Sequence, residues 1–208
     1  MTDVTVYGFP ISTFVNIIRL VLTHKNVAFD FHDLEPEMGS ASHLSLHPFN
    51  RVPILDHAGF RIYETSAIAL YVDEAFAGPA LQPGDLRPRA RVHQWISAVS
   101  SYYYPYMSYH LSHERLIYPA LGIAPDEKVV AHALPRIAVA LDVMERELEH
   151  GQTPEGQQML KSRPRIGAWR GRMEAQPAVI KVRATVAPHI GKPVEHARKW
   201  VETHRPRY

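Results

Sequence analysis

The chain contains no cysteine. Disulfides, thiolate metal sites and any protein thiol nucleophile are thereby excluded. The absence fits a reducing compartment, and the expected location is cytoplasmic. Long apolar runs are missing too: none approaches the roughly 18 residues of a membrane span. The opening "MTDVTVYGFP" lacks the basic region and apolar core of a secretory signal. Charge of one sign is scarce. Lys+Arg number 23 against 21 Asp+Glu, for a net charge of +2. Such a balance offers no bulk attraction to nucleic acid or to an acidic membrane. Histidine is plentiful at 13 residues, and His110 and His113 share a helix face. No acidic or cysteine partner stands at ligand spacing, so no metal site is read. What is present is an ordinary globular mix, 46% hydrophobic and 21% charged over 208 residues. That length suits one large domain or two small ones.

Val4–Gly8 ("VTVYG") reads as a strand closed by Gly-Phe-Pro. "STFVNIIRLVLTHKN" reads as a helix, with Ser12 as N-cap and Asn26 near its end. Phe14, Ile17, Ile18, Val21 and Leu22 fall on one face. "VAFDFHDL" alternates as a second strand, and the polar stretch Glu35 to Ser45 is a loop or short helix. "VPIL" and "FRIY" flank "DHAG", a hairpin with Gly59 available for positive φ. "TSAIALYVDEAF" is a helix capped by Thr65 or Ser66. The order is β-α-β, then β-β-α, which calls for a parallel pair with a right-handed crossover and an antiparallel edge. "LQPGDLRPRA" has linker composition. Beyond it everything reads helical: a long pattern that Pro105 should kink or break, a second ending at Gly151, and a third in "RPRIGAWRGRMEAQPAVIKV". The expected division is an α/β domain over 1–79, a linker over 80–88 and an all-α domain over 89–208.

Pro53 sits inside the first run of the hairpin. Having no N–H, proline belongs at an edge, a strand start or a bulge. Taken alone, a Val-Pro bond is expected to be trans. A cis bond would turn the Val52 backbone outward, where an extended peptide can pair with it. The residues after the hairpin favour the second arrangement. Glu64-Thr65-Ser66 mark a strand end and a helix start. Helix-start N–H groups and the Thr65 hydroxyl suit a carboxylate, and the Glu64 carboxylate suits an ammonium. A free amino-acid head followed by a peptide is the shape of a γ-glutamyl tripeptide.

"VYGFPIST", "FNRVPIL", "YETSAIALYV" and "RPRIGAWRGRMEAQPAVIKV" together resemble a glutathione S-transferase, most like the phi class. The resemblance covers most of the chain. It implies an α/β thioredoxin-like N-terminal domain with a cis proline, plus an all-α helical C-terminal domain. It further implies a homodimeric detoxification enzyme that conjugates glutathione thiolate to hydrophobic electrophiles, with glutathione peroxidase activity as a second capacity and no metal. The alternative is a non-catalytic member of the same fold that keeps glutathione binding. By resemblance, Ser12 hydrogen-bonds the glutathione sulfur, with Thr13 and Tyr7 ranked behind it; by itself Ser12 reads only as an N-cap. Val52 would pair with the cysteinyl backbone, Pro53 would be the cis proline, and Glu64 and Thr65 would hold the γ-glutamyl head. Thr65 stands where serine is usual.

Two departures from the family pattern matter. The family supplies histidine and lysine for the glycine carboxylate in the loop after the second strand. Here Gly39 and Ser40 stand there, with His43 nearby in sequence. Arg51, where glutamine is common, is the candidate instead. The second departure is a buried helix that relatives carry between Glu149 and "RPRIGAW". Here "EHGQTPEGQQ" joins them directly, with the break near 150–153. Either the helix is lost or a stretch of chain is missing from the sequence. A bundle without its central helix would expose apolar faces, which favours the second. The electrophile is expected beside Ser12, with Ile11, Phe14, Tyr106 and Tyr109 as candidate lining. The tyrosines read equally well as core or dimer contacts.

Overall fold

The computed structural model describes residues 2–147, 163–194, 196–198, 201 and 205. The junction around Gly151, where the sequence raises the question of a lost helix, lies outside the described residues.

β1 (Val4–Gly8) turns Val4, Val6 and Gly8 inward. It leads to α1 (Thr13–His24), capped by Ser12. The helix closes with Asn26 at φ 58 and a 2.9 Å bond from Val27 N–H to the Leu22 carbonyl, a left-handed C-terminal closure. β2 (Asp30–Asp33) is shorter than its alternating segment. A 3₁₀ turn (Glu35–Glu37) and α2 (Ala41–Leu46) occupy the polar stretch. β3 (Ile54–His57) and β4 (Phe60–Tyr63) form the hairpin, and α3 (Thr65–Ala75) follows. Ala58 (φ 52) and Gly59 (φ 88) both lie at positive φ, as a two-residue type I′ turn requires. Glu64, not Thr65 or Ser66, is the residue before the α3 helix. Pro53 precedes β3 and takes no place in its ladder.

The sheet order is β2-β1-β3-β4, with β1 parallel to β2 and the other pairs antiparallel. Mixed strands of this order with helices α1 and α3 packed together make a thioredoxin-like unit. Its core is Val4, Val6, Val15, Ile18, Leu22, Leu55, Ile68 and Val72. The buried face of α1 is Val15, Ile18, Arg19 and Leu22; of the five residues expected from sequence, Ile18 and Leu22 are buried, while Phe14, Ile17 and Val21 are half-buried.

α4 (Leu86–Ala98) begins inside the stretch of linker composition. Pro88 lies in its first turn, where a missing N–H costs nothing. The helix continues through Val99–Tyr103 and Pro105–Ile117 as wide π-helical turns. Pro105 does not break it: Tyr104 stays helical at φ −58, ψ −45. A wider turn relieves the clash of the proline ring with the preceding turn's carbonyl. α5 (Glu127–Glu147) carries Pro135 inside it. The third expected helix is two, α6 (Pro164–Glu174) and α7 (Pro177–Val186). Among the described residues every regular element after β4 is helical.

The chain forms two compact units, Met1–Val92 with Pro177–Ile190, and His93–Gln176 with Gly191–Tyr208. α7 therefore belongs to the first unit, packed on α1. In the second unit Ala133, Ile137, Leu141 and Ile166 form the core. Glu114, fully buried there, accepts from Asp126 N–H at 2.7 Å and is paired with Arg205.

Candidate active site

Register gathers the candidate residues of the first unit. Tyr7 lies opposite Ile54, and Ile54 opposite Tyr63. The C-terminal ends of β1 and β4 and the N-terminal end of β3 are therefore neighbours. Ser12 follows β1, Val52 and Pro53 precede β3, and Glu64 and Thr65 follow β4. All are delivered to one end of the sheet. The parallel β1–β2 pairing brings the loop after β2 to the same end, with Leu34 N–H bonded to the Gly8 carbonyl at 2.8 Å.

Ser12 is held on three sides. Its N–H donates to the Phe9 carbonyl at 3.1 Å, and its own carbonyl accepts from Asn16 N–H at 3.0 Å. Its Oγ accepts from Val15 N–H at 3.4 Å, long for a hydrogen bond. As the oxygen is the acceptor there, that bond does not use the hydroxyl hydrogen. Ser12 is half-buried, and α1 has no acidic residue in its first turn. The positive end of the helix is thus not neutralised by a neighbouring carboxylate. Tight packing sets this geometry: a side chain on Gly8 would meet Val15 Cγ2 at 2.3 Å. Tyr7 alternates with the inward-facing Val6 and Gly8 on β1, its ring 5.3 Å from His32. Thr13, the other alternative hydroxyl, is exposed as the first residue of α1.

The Val52–Pro53 bond is cis. Val52 is half-buried and packs on the first core, while Pro53 is buried. His43 fixes the preceding residue. Its Nε2 donates to the Arg51 carbonyl at 2.9 Å, and its Nδ1 accepts from Gly39 N–H at 3.1 Å. Both ring nitrogens are committed and the ring is fully buried, so His43 is no ligand for a carboxylate. His47, also buried, accepts from Phe49 N–H at 3.3 Å. Burial, and then the nearby His43 and Arg51, hold the His47 pKa below the usual imidazole range. Arg51 itself is half-buried.

Glu64 stands at φ 73, ψ 114, in the left-handed region that a residue with a Cβ enters at a cost of about 1–3 kcal/mol. It is exposed, and its carboxylate does not cap α3. α3 likewise has no acidic residue in its first turn. An uncapped helix start beside a free-standing carboxylate and a Thr65 hydroxyl can take a carboxylate and an ammonium together.

Residues 6–80 match the family model described as the glutathione S-transferase N-terminal domain. That stretch is similar to the N-terminal domain of those transferases. The chain resembles plant members of the phi class. It is 26% identical to glutathione S-transferase 3 of Zea mays, over 89% of this chain and 96% of that one. It is 28% identical to glutathione S-transferase F10 of Arabidopsis thaliana, over 64% of each. The fold matches the crystal structure of glutathione transferase F2 from Populus trichocarpa with a TM-score of 0.80, at 21% identity, over 89% of this chain and 99% of that one.

In the first unit Ile11 and Phe14 flank Ser12, both half-buried. Tyr106 and Tyr109 belong to the second unit. There, a cavity of about 660 Å³ is lined by Trp95, Tyr102, Tyr103, Tyr106, Val139 and Val143 among others. Tyr109 is not part of that lining; it packs on Tyr104 and His113, with centroids 5.2 Å away in each case. The Tyr103 hydroxyl is committed to the Ala140 carbonyl at 2.7 Å. The tyrosine run thus divides between core and cavity. Among the described residues no three His, Cys, Asp or Glu side chains gather as a metal site, and no helix is long and apolar enough to cross a membrane. Sequence reasoning missed Asn16 and Arg19, which grip the turn carrying Ser12. The available signal was an arginine on the apolar face of α1.

Proposed function

We propose that the protein binds glutathione at this end of the sheet and conjugates its thiolate to hydrophobic electrophiles. The observation that carries the reading is a hydroxyl with an uncommitted hydrogen at an acid-free helix start, next to Val52, Pro53, Glu64 and Thr65. In this reading the α3 start and the Thr65 hydroxyl hold the γ-glutamyl carboxylate, and Glu64 takes its ammonium. The Val52 backbone, which stands ahead of the β3 ladder, pairs with the cysteinyl residue. Arg51 receives the glycine carboxylate.

Ser12 then donates to the sulfur. A free thiol ionises near 8.5. A hydrogen bond to a charged group is worth about 1.5–3 kcal/mol, and a helix start adds about 0.3–1 kcal/mol. At about 1.36 kcal/mol per pKa unit, these lower the thiol pKa by about one to three units without a basic residue. The thiol proton passes to solvent. The sulfur forms a bond to the electrophilic carbon, and the leaving group departs with its electron pair. Ile11 and Phe14 give an apolar reactant a seat beside Ser12. The same reading takes the working form as a cytoplasmic homodimer, supported by the lack of cysteine and by the likeness to that family.

The test is conjugation of glutathione to a generic aryl halide by the wild type and by Ser12→Ala. Turnover by the wild type, cut about 10²–10³-fold in the variant as for loss of a charge-stabilising donor, supports the proposal. A wild type that binds glutathione yet turns nothing over would establish the non-catalytic alternative.

A further inference from the structure

We propose that Asn16 and Arg19, backed by Thr185 of α7, are positioning residues that hold the Ser12 hydroxyl in line with the bound sulfur. The inference rests on the role given to Ser12 above.

Arg19 is 8% exposed. Its guanidinium lies 4.7 Å over the Phe31 ring. Nη1 donates to Asn16 Oδ1 at 3.0 Å, and Nη2 donates to Thr185 Oγ1 at 2.5 Å. A buried cation is costly where leucine would pack, and this one lies on the core face of α1. Its effect is directional. Because Asn16 Oδ1 faces a positive charge, Nδ2 must face away, and it donates to the Pro10 carbonyl at 2.8 Å. A flipped amide would set its NH₂ against the guanidinium and its oxygen against the Pro10 carbonyl. The Asn16 main-chain N–H meanwhile bonds the Ser12 carbonyl. One residue therefore grips the turn on both sides of Ser12, at position 10 and at position 12.

Thr185 completes the direction of the relay. Its hydroxyl donates to the Val182 carbonyl at 2.7 Å, which leaves its oxygen to accept from Arg19. The order runs from α7 through Arg19 and Asn16 to Pro10, each donor fixed by the one before. Hydrogen-bond strength falls steeply with angle, so a loosened turn weakens the Ser12 bond to the thiolate. Binding of the glutathione backbone and head, which uses other residues, is left alone. The signature is a raised thiol pKa with affinity nearly constant at pH below it.

The experiment compares wild type, Asn16→Ala, Thr185→Val, Thr185→Ser and Ser12→Ala. It reads the pH profile of kcat/KM for an aryl halide, the ultraviolet absorbance of bound thiolate, and glutathione Kd by calorimetry. Asn16→Ala and Thr185→Val should each raise the apparent thiol pKa by about half a unit to one unit, so that kcat/KM falls about 3- to 10-fold on the acid side and recovers at high pH. Glutathione Kd measured at acid pH, below the bound-thiol pKa, should stay within about twofold, and Thr185→Ser, which keeps the hydroxyl, should follow the wild type. If Asn16→Ala does not give a folded protein by circular dichroism, Thr185→Val decides alone. Profiles superimposable on wild type, or a loss equal at every pH, overturn the inference. If Ser12→Ala itself keeps full thiolate and activity, the reading of Ser12 falls and the inference with it. If Ser12→Ala loses both while the relay variants match wild type, only the inference falls.

Discussion

Ser12 accepts one N–H bond and keeps its hydrogen, a division of labour that a hydroxyl performs at a single atom. Capping is a local relation, so Ser12 was legible from "GFPIS" before any contact was known. Arg51 is different. The sequence offers it only as the nearest cation to a departed histidine-lysine pair, and the geometry adds that its carbonyl is pinned by His43. With the backbone held, only the side chain is left to vary. Arg51→Ala should therefore weaken glutathione binding about 10- to 100-fold, the loss of one charge-assisted pair, with little change in thermal stability. Calorimetric titration with glutathione measures it, and an unaltered affinity would remove Arg51 from the site. His43 was not legible as a tether. Its partners, Gly39 and Arg51, are brought to it only once the chain between them has folded.

Elements are read well where a periodic pattern has only one neighbour, and poorly where it has two. The β3–β4 hairpin came out with Gly59 at positive φ as expected, although β3 starts at Ile54 and takes in Asp56 and His57 of the expected turn. α1 is packed on by β1, α3 and α7 at once. A single-face reading of its apolar residues found Ile18 and Leu22 but missed Val15 and Arg19, which are buried as well, and Arg19 was invisible because its partner Thr185 lies 166 residues away. Pro105 misled for a related reason: proline forbids an ordinary helical turn, not a wider one. The end of α1 makes its own prediction. Lys25 Nζ pairs with Asp73 at 3.0 Å, with both side chains buried, and also donates to the Asp73 and Pro79 carbonyls. Asp73 accepts in addition from Leu81 N–H and the Gln82 amide. One ion pair thereby joins α1, α3 and the segment that leaves α3. Lys25→Met strands the Asp73 charge and should lower stability by about 3–5 kcal/mol. Lys25→Met with Asp73→Leu should recover most of it. Urea midpoints of the three proteins test this, and an unchanged midpoint in the single variant would refute it.

At the scale of the whole chain, each unit holds a histidine whose pKa is lowered by loss of solvent. Burial pushes His47 of the first unit below its ordinary pKa, helped by His43 and Arg51. Burial does the same to His113 of the second unit, against the opposing pull of the Ser108 carbonyl and Glu114. A depressed imidazole pKa means the unfolded chain binds a proton that the native chain refuses. Stability from these residues is complete above the unfolded value of about 6.5 and is lost as pH falls from there through the native values. Asp73 acts with the same sign in a lower window. Burial alone would raise its pKa, but the Leu81 N–H, Lys25 and Gln82 bonds outweigh it and leave the pKa lowered. Its contribution is present above about 3.9 and disappears as pH drops through the lower native value. The thermal midpoint should thus hold steady above pH of about 7, decline in a first step below about 6.5, and decline again at the carboxylate range. His47→Gln and His113→Gln should each flatten part of the first step and leave the second untouched. Calorimetric scans across that range decide the matter, since a first step that survives both substitutions would place the acid sensitivity in other groups.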